Sequence, residues 1–272
     1  MPTFLGTLSL GGPSIDAIAA ASIPEDPSSP DRTPVPAPVV PNNRHNNIVL
    51  SNIAYGFTKP CVLDIKLGAQ LWDDAASLEK RARLDKVSDA TTSRSLGLRV
   101  AGMKVYKGTG ATLSVGIKDG YKVYDKHYGR DFTAENVIIT IKEYLTSTLS
   151  PNQVKIVVER FLERVSEIRK VLENQESRMY SASLLFAYEG DSNAFEDALK
   201  QEETKAKKAA PSEAEEDDED DDEVDDEKIK KIEDVKLIDF AHAAWTPGLG
   251  PDENALQGVR STEKLLNEIL QS

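Results

Sequence analysis

The nonapeptide Pro60-Cys61-Val62-Leu63-Asp64-Ile65-Lys66-Leu67-Gly68 constrains this chain more than any other stretch. Apolar and ionic residues alternate with a period of two. A strand through it therefore carries Val62, Asp64 and Lys66 on one face and Cys61, Leu63, Ile65 and Leu67 on the other. A carboxylate and an ammonium on a mostly apolar strand lose much of their mutual attraction to desolvation. Two readings follow: a structural ion pair on an edge strand, or a chemical site whose back is the core.

Two later stretches bear on that choice. Leu237-Ile238-Asp239-Phe240-Ala241-His242 sets an acid at the end of an apolar strand. A buried carboxylate needs a cation to offset its desolvation, and protein kinases hold magnesium in this way; a capped turn is the alternative. His242 either orients that acid or touches substrate. Ser183, in a strand read over 181–189, is a metal or phosphate neighbour or a hydroxyl bonded within the sheet.

Taken in order, Pro60-x-x-x-Asp64-x-Lys66-x-Gly68, Ala182-Ser183-Leu184-Leu185 and Ile238-Asp239-Phe240-x-His242 resemble the three signature motifs of the inositol polyphosphate kinases. Ala182 replaces the first serine of the second motif. Residues 47–68, the triplet Tyr128-Gly129-Arg130 and an acidic insertion are most similar to the fungal multikinase branch. The resemblance implies an α+β, two-lobed fold, distantly protein-kinase-like, with antiparallel sheets and packed helices. It also implies ATP and Mg2+ as cofactors and inositol 1,4,5-trisphosphate as acceptor, carried to tetrakis- and pentakisphosphates.

By the same resemblance Asp239 holds magnesium, Lys66 lies between the γ-phosphoryl group and the acceptor phosphates, and Asp64 engages the nucleotide. Ser51 and Ile53 fall at a hinge where adenine docks, with Ile53 supplying its amide. A helix expected over 73–88, capped by Asp73, carries Lys80, Arg83 and Lys86 on about a third of its circumference. Such a stripe is either a solvated face or, beside the Asp-x-Lys strand, a hold on substrate phosphates. Arg130 braces a phosphate or a carboxylate.

The family also uses a lysine on an early N-lobe strand and a helix resembling Glu-Leu-Glu-Phe-Tyr, whereas the first lysine here is Lys59. The expectation is an incomplete N-terminal lobe over 1–58, a C-terminal lobe over 59–272, weak ATP binding and slow turnover. A non-catalytic reading stands beside it, as a scaffold binding inositol phosphates and basic nuclear or transcription-factor proteins. No His-Arg-Asp catalytic loop supports a protein kinase.

Charge enters through its location. The net charge of -13 equals the thirteen acids between Glu213 and Glu227, so the remainder is neutral and an anionic substrate is not excluded. Residues from about 190 to 230 read as disordered, and 24–41, with seven prolines, as an extended loop. No apolar run approaches the ~20 residues of a membrane span, no signal peptide is recognised, and direct nucleic-acid binding is not expected. The single cysteine, Cys61, excludes an internal disulfide, and three histidines give no zinc cluster. The expected location is nucleus and cytoplasm.

Further strands are expected over Met1–Leu10, 48–53, 98–106, 121–125 and 235–240, with a hairpin turn at Gly108-Thr109-Gly110. Helices are expected over 134–149, from Pro151 behind a Ser150 cap, and over 253–270.

Overall fold

A computed structural model describes residues 3–9, 46–110, 116–209 and 230–272. Pro2–Asn52 and Ile53–Ser272 form two separate compact units. In the smaller, β1 (Phe4–Ser9) pairs antiparallel with β2 (Asn46–Leu50), with an irregularity between Phe4 and Gly6. The proline-rich 24–41 lies outside the described residues.

The larger unit is built on β3 (Pro60–Leu67), whose burial alternates as the sequence pattern requires. Cys61, Leu63, Ile65 and Leu67 are buried, while Val62, Asp64 and Lys66 are half-buried. Each large apolar side chain so buried contributes roughly 1.5–3 kcal/mol. β3 is an interior strand, not an edge. β4 (Leu98–Tyr106) and β8 (Ser183–Glu189) flank it in an antiparallel sheet completed by β5 (Ile117–Lys118), β6 (Tyr121–Tyr124) and β9 (Glu233–Ile238), in the order β5-β6-β4-β3-β8-β9. A small ladder, β7 (Ser177–Met179) with β10 (Ala243–Trp245), lies apart from it.

Between β3 and β4 run α1 (Leu78–Asp89) and α2 (Thr92–Leu96). After β6 come a 3-10 turn at Tyr128–Arg130, α3 (Ile138–Tyr144) and α4 (Pro151–Glu173); α5 (Ser192–Ala209) follows β8 and α6 (Glu253–Leu270) ends the chain. At the start of α4, the Ser150 hydroxyl accepts from the Gln153 amide while Gln153 Oε1 accepts from the Ser150 amide at 2.8 Å. Val158, Phe161, Val165 and Leu172 of α4 are buried in one core with Leu256, Val259 and Leu266 of α6.

Three expectations change. The turn expected at 108–110 is not a tight hairpin, since β4 ends at Tyr106 and β5 starts only at Ile117. The tight hairpin joins β5 to β6 through Asp119 and Gly120, at φ +53° and +78°, which suits an Asp-Gly pair. The first helix of the pair after β6 is shorter than 134–149. And 192–209, expected to be disordered, is helix. Asp191 Oδ1 accepts the amides of Asn193 and Ala194 at its start, Phe195 and Ala198 are buried, and Arg160 of α4 pairs with Glu202 at 2.8 Å. Two apolar residues one turn apart are enough anchorage for a segment rich in alanine, glutamate and lysine. The thirteen-acid run lies outside the described residues.

Candidate active site

The sheet register lines up the reactive side chains. Arg99 on β4 is opposite Lys66 on β3, Lys66 is opposite Ser183 on β8, and Ser183 is opposite Ile238 on β9, the residue before Asp239. Lys66 Nζ donates to Asp239 Oδ2 at 3.0 Å, to the Ser181 carbonyl at 3.0 Å and to Ser183 Oγ at 3.3 Å. Two residues 173 apart in the chain are thus brought together at a half-exposed point, with 24% of the Lys66 and 47% of the Asp239 side chain open to solvent. At that exposure the pair adds only about 0–1 kcal/mol to stability. Its importance is positional.

Two of the three groups that hold the Lys66 ammonium come from residues with left-handed backbone: Ser181 at φ +58° and Asp239 at φ +70°. Such conformations in residues other than glycine cost about 1–3 kcal/mol each. The surrounding sheet imposes them, and the result is a carbonyl and a carboxylate aimed at one ammonium.

Asp64 lies two residues before Lys66 on the same face. Its Oδ1 is buried and without a hydrogen-bond partner. Burial raises its carboxyl above the ordinary aspartate value, against the opposing pull of the Ser183 hydroxyl, Lys66 and Arg99.

The glycine that ends the strand is fixed by its neighbours. Gly68 adopts φ +94°, and a Cβ there would stand 2.5 Å from Asn254 Nδ2. Asn254 Oδ1 accepts the amides of Ala69 and Gln70 at 2.9 and 2.8 Å, and its Nδ2 donates to the Gln70 carbonyl. The first turn of α6 thereby clamps the exit of β3.

On the far side of that turn, α1 starts at Leu78 with Ser77 as its cap, later than expected, because Asp73 is otherwise engaged. Asp73 Oδ2 lies 2.7 Å from His242 Nδ1, which draws the Asp73 carboxyl below its usual value. His242 therefore meets Asp73, not Asp239, and ties the Asp-Phe-Ala-His loop to the entry of α1. Lys80 is half-buried, Arg83 and Lys86 are exposed, and none of them is ion-paired with another described residue. Arg81, between them, points inward and stacks on Trp72 at 4.5 Å, while Trp72 Nε1 donates to Asp85 at 2.8 Å.

Arg130 sits on the 3-10 turn beside β4, with its Nε buried and unpartnered. Ser51 belongs to the smaller unit, where its Oγ accepts from the Thr3 amide at 2.9 Å; Ile53 opens the larger unit. Arg99 carries no signal in the sequence. Its position opposite Lys66 depends on the β3–β4 register, which includes an irregularity after Asp64 that the residues do not announce.

A lysine near the end of β3, an acid 3.0 Å away and a second acid with an unpartnered oxygen on the same face bring one cation and two carboxylates together, a combination suited to phosphoryl transfer, and so define a candidate phosphotransferase site. Comparison with known proteins gives the narrower class. Residues 47–267 match the inositol polyphosphate kinase family. The chain is 38% identical over 282 residues to the inositol polyphosphate multikinase of Saccharomyces cerevisiae, covering 96% of this chain and 79% of that one. It is 32% identical over 214 residues to the Schizosaccharomyces pombe multikinase, covering 79% and 65%. Inositol hexakisphosphate kinase 1 of Rattus norvegicus is 31% identical, but the chain spans only about half its length: 82% of this chain aligns with 51% of that one. Among solved structures, the S. cerevisiae inositol phosphate multikinase Ipk2 in complex with ADP and Mn2+ superposes with a TM-score of 0.68 at 33% identity, covering 99% of this chain and 89% of that one. The chain belongs to the inositol polyphosphate kinase family.

Proposed function

We propose that this protein transfers the γ-phosphoryl group of ATP to hydroxyls of inositol 1,4,5-trisphosphate, giving tetrakis- and then pentakisphosphates. The observation that carries the reading is the 3.0 Å approach of Lys66 Nζ to Asp239, with Asp64 on the same strand face. The multikinase assignment is favoured by the match to the S. cerevisiae enzyme, which spans nearly the whole chain.

The residues present fit a divalent ion held mostly by its nucleotide. Among the described residues no group of three or more histidine, cysteine or acidic side chains is poised to hold a metal. Magnesium bound through one or two carboxylates and phosphate oxygens needs no such cage. Asp239 would hold it, with the Ser183 hydroxyl adjacent, and the ion would neutralise charge on the phosphate oxygens. Lys66 is a compact cation on a flexible stem, so it can leave Asp239 to follow the transferring group without losing its hold on the sheet. Asp64 contributes acceptor capacity toward the nucleotide, and the Ile53 amide is proposed to meet adenine. Lys80, Arg83 and Lys86, which form no ion pair with another described residue, would receive acceptor phosphates.

The acidic run from Glu213 to Glu227 is proposed to engage basic nuclear proteins, on charge alone; deleting 211–227 should remove such binding and leave catalysis intact. The decisive test of the kinase reading is incubation of the full chain with ATP, Mg2+ and inositol 1,4,5-trisphosphate, with products separated by anion exchange. Stepwise gain of one and then two phosphates is expected. Conversion of inositol hexakisphosphate alone would reject the acceptor assignment.

A further inference from the structure

Two arginines, Arg99 opposite Lys66 on the next strand and Arg130 on the turn packed against that strand, carry buried guanidinium nitrogens that no acid pairs among the described residues. Arg99 is 8% exposed and its Nη1 has no partner; Arg130 Nε is buried and equally unpartnered. Neither guanidinium takes part in a hydrogen bond or ion pair with another described residue. A buried unpaired charge is among the most expensive things a fold can retain, normally avoided by pairing or by replacement with an apolar residue.

The backbone explains why the two are adjacent. A Cβ on Gly129 would lie 2.1 Å from the Val100 carbonyl, so the turn carrying Arg130 is pressed directly onto the strand segment carrying Arg99. The aromatic ring of Tyr128 packs on Tyr124 and on Phe132, at 4.6 and 5.0 Å between centroids, and anchors that turn. Burial and the neighbouring Arg130 charge both weaken the hold of Arg99 on its proton, and only Asp64 opposes them. Yet both Asp64 Oδ1 and Arg99 Nη1 lack a hydrogen bond, so Asp64 does not satisfy the pair.

Their position along the sheet says what kind of ligand would. Across neighbouring strands, spaced about 4.8 Å apart, the order is Arg99, Lys66, Ser183 and then the β9 end that bears Asp239. Lys66 stands between the acid proposed to meet the metal nucleotide and the two guanidiniums. Arg99 also follows closely on Gly97, whose carbonyl accepts the Gly68 amide, at the end of the sheet from which the chain runs on to α1.

We propose that Arg99 and Arg130 form an anion subsite that takes one phosphate of the acceptor, on the side of Lys66 opposite the nucleotide. Guanidinium forks suit this task, since each presents parallel N–H donors to a phosphate and remains charged when desolvated. The inference rests on the kinase reading for the identity of the acceptor, but the subsite itself is an anion site whatever is transferred.

The test separates a ligand site from a structural one by measuring stability and affinity together. Replacing Arg99 by leucine removes a buried, unsatisfied charge, so Arg99→Leu should melt at the same temperature as wild type or higher. Its KM for inositol 1,4,5-trisphosphate should rise about 10- to 100-fold, with kcat and the KM for ATP within about threefold. Arg99→Lys, which keeps charge but loses the fork, should fall between the two, and it decides the matter if the leucine variant does not fold. Without ATP, inositol hexakisphosphate should raise the melting temperature of wild type more than that of either variant. An unchanged acceptor KM in a folded variant, or equal thermal shifts in variant and wild type, would overturn the subsite. A wild type that phosphorylates no inositol phosphate overturns the kinase reading instead, and the thermal-shift arm then still tests the anion site.

Discussion

β3 and α1 both carry cations, and they hold them in opposite ways. On β3 the ammonium of Lys66 is satisfied three times over, by a carboxylate, a carbonyl and a hydroxyl supplied by other parts of the sheet. On α1, Lys80, Arg83 and Lys86 form no ion pair with another described residue, and only Ser88 of the whole helix is buried. On the proposed function the contrast separates two jobs. A charge that must act during transfer is placed in advance by the protein, so little reorganisation remains for the reaction. Charges that only need to recognise a polyanion are left for the ligand to satisfy, and exposure keeps the cost of leaving them unpaired small.

Removing Lys66 should have the largest effect. Lys66→Ala is expected to lower kcat by about 100- to 1000-fold in single-turnover assays, while the melting temperature changes little. A kcat close to wild type would erase the distinction between strand and helix. Next comes the clamp on the strand. Gly68→Ala meets both the left-handed φ and the Asn254 side chain. A loss of about 1–3 kcal/mol in denaturant unfolding should follow, with activity falling because the strand exit moves.

On the helix, single alanine substitutions at Lys80, Arg83 or Lys86 should raise the acceptor KM about 3- to 10-fold and leave stability within about 0.5 kcal/mol. A drop in kcat equal to the rise in KM would mean that the helix, too, acts in the transition state.

The smallest effect sharpens the contrast from the strand side. Asp64→Asn removes a carboxylate whose ionisation burial opposes, so the variant should melt slightly above wild type while losing activity. Because the native carboxyl holds its proton more tightly than the unfolded one, the penalty is absent below the ordinary value of 3.8. It grows as pH rises through the raised native value and is then constant. The stability gap between the Asp64→Asn variant and wild type should widen over that interval, as read by thermal melts across pH.

What the residues disclose depends on whether a local pattern decides the structure. The β3 alternation fixes both faces of the strand, and Ser150-Pro151 marks the start of α4 because capping is a short-range interaction. Asp73 also looks like a cap, but a tertiary partner, His242, takes its carboxylate, and Ser77 takes over the helix start. α5 escapes a reading by pattern because Phe195 and Ala198 give too short an apolar period to stand out among charges, yet packed into the core they suffice. The Asp119-Gly120 turn is legible from its dipeptide, but the glycines at 108 and 110 compete for the same assignment. Arg99 has no local signal at all. Its significance exists only once strand register sets it beside Lys66 and a glycine lets Arg130 come close.

The Asn254 clamp has a consequence for how the protein is made. The amides it secures lie 185 and 184 residues earlier in the chain, so at ordinary translation rates β3 is synthesised roughly ten to forty seconds before its fastener. Through that interval the nascent polypeptide carries β3 without the group that shapes its exit. Competence for chemistry should therefore arrive late and abruptly, with the emergence of the last helix.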